Sequence, residues 1–145
     1  MNEIHKSTVV PYSADAMYAL VNDIDAYPDF LPWCRNTEVS NRSETHLRAT
    51  LTLEVGKVRQ SFTTENTMQP GRTIEMRLVE GPFKSLTGCW HFDPVAPESC
   101  HVRLDLRFDF KHKLLKLALN KAFHHILETL VDSFIQRAGE IHGKS

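Results

Sequence analysis

The chain has 145 residues, 41% of them hydrophobic and 24% charged, with a formal net charge of -1. That length suits one core, so residues 1–145 are expected to form a single domain, and the composition excludes wholesale disorder. A charge this close to zero supplies no global basic field for DNA, for RNA or for an acidic membrane.

The first residues, MNEIHKSTVVPYS, contain no long apolar run and do not read as a secretory signal. No stretch approaches the roughly 20 apolar residues that span a bilayer. The cysteines Cys34, Cys89 and Cys100 are scattered and odd in number, which fits neither a disulfide framework nor a CxxC metal knuckle. Reduced thiols in the cytoplasm are the expectation.

Residues 2–10 are rich in β-branched side chains and predict a first strand. Ser13 is placed to cap a helix whose first turn holds Asp15 and whose apolar face is Ala16, Met17, Leu20 and Val21, ending near Asp23. Two prolines in 25–33 leave room for a short helical turn there. Asp23 and Asp25 flank the helix end, and capping is the role expected of them.

From about residue 36 to 110 the period becomes two. Leu47, Ala49, Leu51, Leu53 and Val55 alternate with polar residues, and Gly56-Lys57 turns the chain. Val58, Phe62, Thr64 and Met68 share the next face, followed by the Pro70-Gly71 turn. Ile74, Met76 and Leu78 come next, then Gly81-Pro82, then Leu86, Gly88, Trp90 and Phe92 on one side, then a turn at 94–98. In the last strand Cys100, Val102, Leu104, Leu106, Phe108 and Phe110 face one way, and the alternating charges Arg103, Asp105, Arg107 and Asp109 the other, as on a solvated face.

From Lys113 the period returns to 3.6. Leu115, Leu119, Ala122, Phe123, Ile126, Leu127, Leu130, Phe134, Ala138 and Ile141 form an apolar stripe, with Gly143 as the stop. Sheet face and helix stripe must bury each other. The prediction is an α+β fold, a curved antiparallel sheet of six to seven strands around a long C-terminal helix.

Such a sheet need not close completely on its helix, and the gap is a natural small-molecule site. Leu51, Leu53, Phe62, Met76, Trp90, Phe92, Leu106, Phe108, Phe123, Leu127 and Leu130 face it; a dry packed core is the plainer account of the same pattern. No catalytic constellation stands out: there is no GxSxG elbow, no HExxH and no Gly-rich phosphate loop. Adjacent His124 and His125 point about 100° apart on a helix and do not share an ion, so no catalytic residue and no metal site are assigned. The segment YPDFLPWC (27–34) is unusually apolar for a loop, and either caps the cavity mouth or plugs the core. Lys111, Lys113, Lys116 and Lys121, with His112, make a basic strip suited to RNA or lipid headgroups, although a solvated face is the simpler reading.

The segments VPYSADAMYALVNDIDAYPDFLPWC (10–34) and EGPFKSLTGCWHFDP (80–94), with the strand ending FDFKHKLL, resemble the START-like family of coenzyme-Q-binding proteins. Its bacterial members are called ribosome association toxin A or polyketide cyclase/lipid transport proteins. The resemblance covers nearly the whole chain. It implies a helix-grip fold of the START/Bet v 1 type and a lipophilic ligand, typically ubiquinone or another isoprenoid lipid, with no further cofactor. Carried over, Phe30, Leu31, Trp33, Phe83, Trp90 and Phe92 become cavity or mouth residues. An isoprene unit has about five carbons, so at ~0.8 kcal/mol per CH₂ it would contribute about 4 kcal/mol before ordering costs.

Three functions follow. The first is a non-enzymatic quinone or lipid carrier supporting respiration, in transient contact with a membrane surface. The second is a toxin that binds the large ribosomal subunit and blocks subunit joining, using the Lys111–Lys121 strip or another surface. The third, a polyketide cyclase or dehydrase, rests on the family name alone.

Overall fold

The computed structural model describes residues 2–142. In chain order it contains β1 (Asn2–Val10), α1 (Ala14–Asn22), a 3₁₀ turn (Ile24–Ala26), α2 (Tyr27–Phe30), β2 (Cys34–Ser40), β3 (His46–Val55), β4 (Val58–Gln69), β5 (Thr73–Glu80), β6 (Phe83–Ala96), β7 (Ser99–Phe110) and α3 (Lys113–His142). The seven strands make one sheet in the order β1-β7-β6-β5-β4-β3-β2, antiparallel at every pairing.

Local chemistry sets most boundaries. The Ser13 side chain accepts a hydrogen bond from the Ala16 N–H at 3.1 Å, satisfying a free donor of the first turn of α1. Asp23 makes no such side-chain bond, and Asp25 instead pairs with Arg42 at 2.8 Å, so the capping expected of these two carboxylates is absent. Gly81 has φ of 152°, and a Cβ on it would lie 2.6 Å from that of Phe62; only glycine lets the β5–β6 turn approach β4 this closely.

Bulges bend the strands at Cys34/Asn36, Thr63/Thr64, Phe83/Ser85 and Pro94/Ala96. The bend at Thr63/Thr64 buries both threonines, and Thr63 and Thr50 share a 2.7 Å hydroxyl bond. The curved sheet holds α3 against its inner face. Leu119, Phe123 and Leu127 pack with Phe83, Leu86, Leu106, Phe108 and Phe110. Farther along, Val131, Phe134 and Ala138 pack with Met17, Trp90, Phe92 and Leu104. This is the expected helix grip.

Three expectations change. Ile141 is 52% exposed, while Val131, outside the expected stripe, is buried. β6 continues to Ala96, so the turn expected over 94–98 shrinks to Pro97-Glu98. The proposed stop at Gly143 lies outside the described residues.

Candidate functional site

Between the inner sheet face and α3 lies a cavity of about 90 Å³. Ala49, Leu51, Leu53, Phe62, Met76, Leu86, Trp90, Leu104 and Leu106 wall it from the sheet. Phe123, Ile126, Leu127, Leu130 and Phe134 close it from the helix, and Ile24, Tyr27 and Trp33 from the connecting segment. A second void of about 20 Å³ lies toward the β3–β4 hairpin, beside Val55, Val58, Pro82, Phe83 and Leu119. Leu53, Phe62, Phe123 and Ile126 border both voids and form the partition between them.

The volume decides something. At about 90 Å³ the main cavity is well below the roughly 300–1,000 Å³ of pockets that take larger ligands. At that volume it does not take a quinone ring with several isoprene units without widening. A ligand of that size requires α3 and the sheet to part.

Ten of the residues expected at the cavity border it: Trp33, Leu51, Leu53, Phe62, Met76, Trp90, Leu106, Phe123, Leu127 and Leu130. Phe83 borders the smaller void alone. Leu31, Phe92 and Phe108 border neither and are wholly buried. Phe92 stacks on Trp90 at 6.1 Å, and Phe108 is covered by Phe123 at 4.8 Å. They face inward, but neighbouring rings fill the space above them. Phe30 also lies off the cavity, packed on Phe134 at 5.4 Å with the Arg137 guanidinium 5.1 Å above its ring. The 27–34 segment is therefore chiefly a plug, with Tyr27 and Trp33 reaching the cavity wall.

Nine wall residues were not among those expected at the cavity, and two of them are polar residues of β4. Thr64 and Asn66 are buried, and the Thr64 hydroxyl donates to the Asn66 side-chain oxygen at 2.8 Å. Asn66 has the same strand parity as Phe62, Thr64 and Met68, which was the available signal; its polarity hid it. Nearby, the Trp33 indole Nε1 is buried with no hydrogen-bond partner. Tyr27 donates its hydroxyl to the Val21 carbonyl, and burial pushes its pKa up. It is the one ionisable side chain on this wall. Burial also pushes the Cys34 and Cys89 thiols up to about 11.

The basic strip lies elsewhere. Lys111, Lys113, Lys116 and Lys121 are exposed, and none forms an ion pair with a described residue. Between them Leu114 and Leu117 are 79% and 82% exposed. His125 is exposed, and His124 leans on the Phe108 ring at 5.5 Å.

A family model described as polyketide cyclase / dehydrase and lipid transport matches residues 10–135. The chain belongs to that family. Its relatives in that family include proteins named as toxins and proteins named as coenzyme Q-binding. The ribosome association toxin RatA of Pseudomonas aeruginosa is 44% identical over 140 residues, 97% of this chain and 97% of that protein. The mitochondrial coenzyme Q-binding protein COQ10 homolog B of Xenopus laevis is 27% identical over 98% of this chain and 60% of its own. Among solved structures, the Zhui aromatase/cyclase of Streptomyces sp. R1128 superposes with a TM-score of 0.83 at 16% identity, over 94% of this chain and 93% of that one. A START superfamily protein from Mycobacterium smegmatis superposes at 0.79 and 22% identity, over 96% and 98%. At those identities the two structures speak for a START-like fold and no further.

Proposed function

We propose that this protein associates with the ribosome, binding the large subunit and blocking subunit joining in the cytoplasm. The observation that carries the reading is the 44% identity to a ribosome association toxin along 97% of both chains. The coenzyme Q-binding relative is more distant and matches over 60% of its own length. Ribosome association therefore ranks ahead of quinone carriage, the reverse of the order reached from the sequence. The unpaired lysines around the start of α3 are the surface best suited to ribosomal RNA. A binding role rather than catalysis is the reading that the relatives' names support.

The test is sucrose-gradient co-sedimentation with purified subunits. The protein is expected to travel with the large subunit, to lower the fraction of joined ribosomes, and to dissociate steeply as salt rises. A protein that stays at the top of the gradient at low salt overturns the reading.

The cavity favours a second reading, binding of a hydrophobic ligand such as a quinone or another isoprenoid lipid. Its wall is almost wholly apolar. Organic extraction and mass spectrometry of the native protein would reveal a stoichiometric lipid, and Leu51→Ser is expected to abolish its loading.

A further inference from the structure

We infer that the protein meets the phosphate backbone of ribosomal RNA end-on, through a basic end where the fold gathers Lys57, Lys84, Lys111, Lys113 and Lys116 from three separate junctions of the chain. The inference rests on the ribosome-association reading and deepens it: Lys57 and Lys84 join the contact surface, and the molecule acquires an orientation on its partner.

Strand direction brings these residues together. In an antiparallel meander every second junction falls at the same end of the sheet. Val55 at the end of β3 pairs with Val58 at the start of β4, so Lys57 sits in the tight turn between them. The β5–β6 turn lies at that end too, with Lys84 just inside β6, and β7 runs there to Phe110, ahead of Lys111 and α3. The Lys111 N–H donates to the Pro82 carbonyl at 3.1 Å, which ties two of the junctions directly. Val55, Val58, Pro82, Phe83, Phe110 and Leu119 surround the smaller void, so all three junctions and the first turns of α3 meet around it.

The charges at the two ends of the sheet differ in sign. All five lysines are exposed, and none forms an ion pair with a described residue. Of the carboxylates near them, Glu54 is bound to Arg59, and Glu3 to His5 and Arg107, which leaves Glu80 and Asp109. At the opposite end Asp15, Glu44, Asp93 and Glu98 are exposed. Among the described residues there, Arg42 is bound to Asp25, and Arg72 stands as the unpaired cation. A net charge of -1 thus hides an end-to-end asymmetry, and a polyanion would draw the molecule in basic end first.

Lysines on separate turns are independent point charges, suited to following a phosphate backbone without reading its bases. An anionic bilayer fits less well. A helix lying on a membrane keeps its apolar and basic residues on separate faces. Here Leu114, Leu117 and Lys121 share one line of α3, and Lys113 and Lys116 immediately precede the two leucines, so charge breaks up the apolar line.

The experiment measures binding of the full chain to purified large subunits by pelleting across a range of salt. Each lysine–phosphate contact adds about one to the steepness of log affinity against log salt, so the wild type is expected to show a slope near about −4. Lys57→Glu with Lys84→Glu is expected to weaken binding more than about tenfold at ~0.1 M salt and to flatten the slope by about two. Glu44→Lys with Glu98→Lys changes the net charge equally, in the other sense, but at the far end, beyond the screening length of about 10 Å. It is expected to leave affinity within about threefold. All four positions are exposed, and urea unfolding would show that both variants remain folded. If the wild type binds and the Lys57 and Lys84 exchange alters neither affinity nor slope, the end-on surface is wrong while ribosome association stands. If charge changes at the two ends act equally, the attraction is global and the end-on contact falls. If the wild type does not pellet with the subunits, both readings fall, and flotation with vesicles of phosphatidylcholine and phosphatidylglycerol would then make the basic end a membrane contact.

Discussion

Gly88 on β6 sits directly opposite Leu106 on β7, and a Cβ on Gly88 would come within 2.4 Å of the Leu106 Cδ1 and 3.0 Å of the Met76 Cε. Leu106 and Met76 both border the cavity. The missing side chain is thus what lets these two reach their positions. Gly88→Val is expected to force Leu106 into the void, and overpacking of this kind costs about 1–3 kcal/mol. Urea unfolding would show the lower midpoint, and any apolar probe of the cavity would bind more weakly.

Phe134 marks the opposite kind of sensitivity. Its ring meets Tyr27 at 5.3 Å, Phe30 at 5.4 Å and Trp90 at 5.5 Å, joining α3 to the plug and to the sheet. Phe134→Ala removes all three contacts and opens the cavity at that end. The expected loss is about 3–5 kcal/mol, read by thermal or urea unfolding. A loss below about 1 kcal/mol would mean that the plug closes in to fill the gap.

On the outer sheet face His5 pairs with Asp105 at 2.7 Å and with Glu3 at 3.0 Å. The Asp105 hydrogen bond, then that to Glu3, raises the His5 pKa above its ordinary 6.5. The same contacts hold the Glu3 and Asp105 carboxyls below their usual range. The stabilising share of His5 is full below pH 6.5 and is lost as pH rises through the raised value; that of the carboxylates is lost as pH falls through theirs. The cluster is therefore strongest in mildly acidic solution. An NMR titration should place His5 above 6.5, and Asp105→Asn should bring it down.

Leu114 and Leu117 stand out in solvent beside Lys113 and Lys116. Exchanging both leucines for serine removes no buried contact and is expected to leave stability within about 0.5 kcal/mol. Charge reversal at Lys113 and Lys116 should behave the same way. If this ridge meets the ribosome, both double variants will co-sediment less, and the lysine pair will also flatten the salt dependence. Unchanged co-sedimentation would remove this surface from consideration.

The elements most legible in the sequence were those with one wet and one dry face. In β7, Cys100 through Phe110 alternate without a break, and in α3 the stripe from Leu119 to Ala138 keeps helical spacing. β2 was blurred because CRNTEVS, on the rim of the sheet, has little apolar alternation to show. Periodicity also assigns a face and not a neighbour. Leu106 and Phe108 share a face two residues apart, yet one borders the void and the other lies beneath Phe123. Which side chain meets empty space depends on where α3 crosses, and no local pattern encodes that. Asn66 escaped for the converse reason: an amide on an inward face reads as an interruption until its partner Thr64 is seen beside it.

Five of the six strand pairings join neighbours along the chain, and such hairpins can form as they emerge during synthesis. The sixth, β1 with β7, brings together His5 and Asp105, 100 positions apart. The first strand made is the last to find its partner, and until then it waits as an open edge, the kind of surface on which nascent chains associate wrongly. Closing so long a loop is slow. A chain interrupted before Phe110 would keep its hairpins and leave β1 unpaired, so translation pauses late in the message, more than early ones, should decide how much of this protein is lost to aggregation.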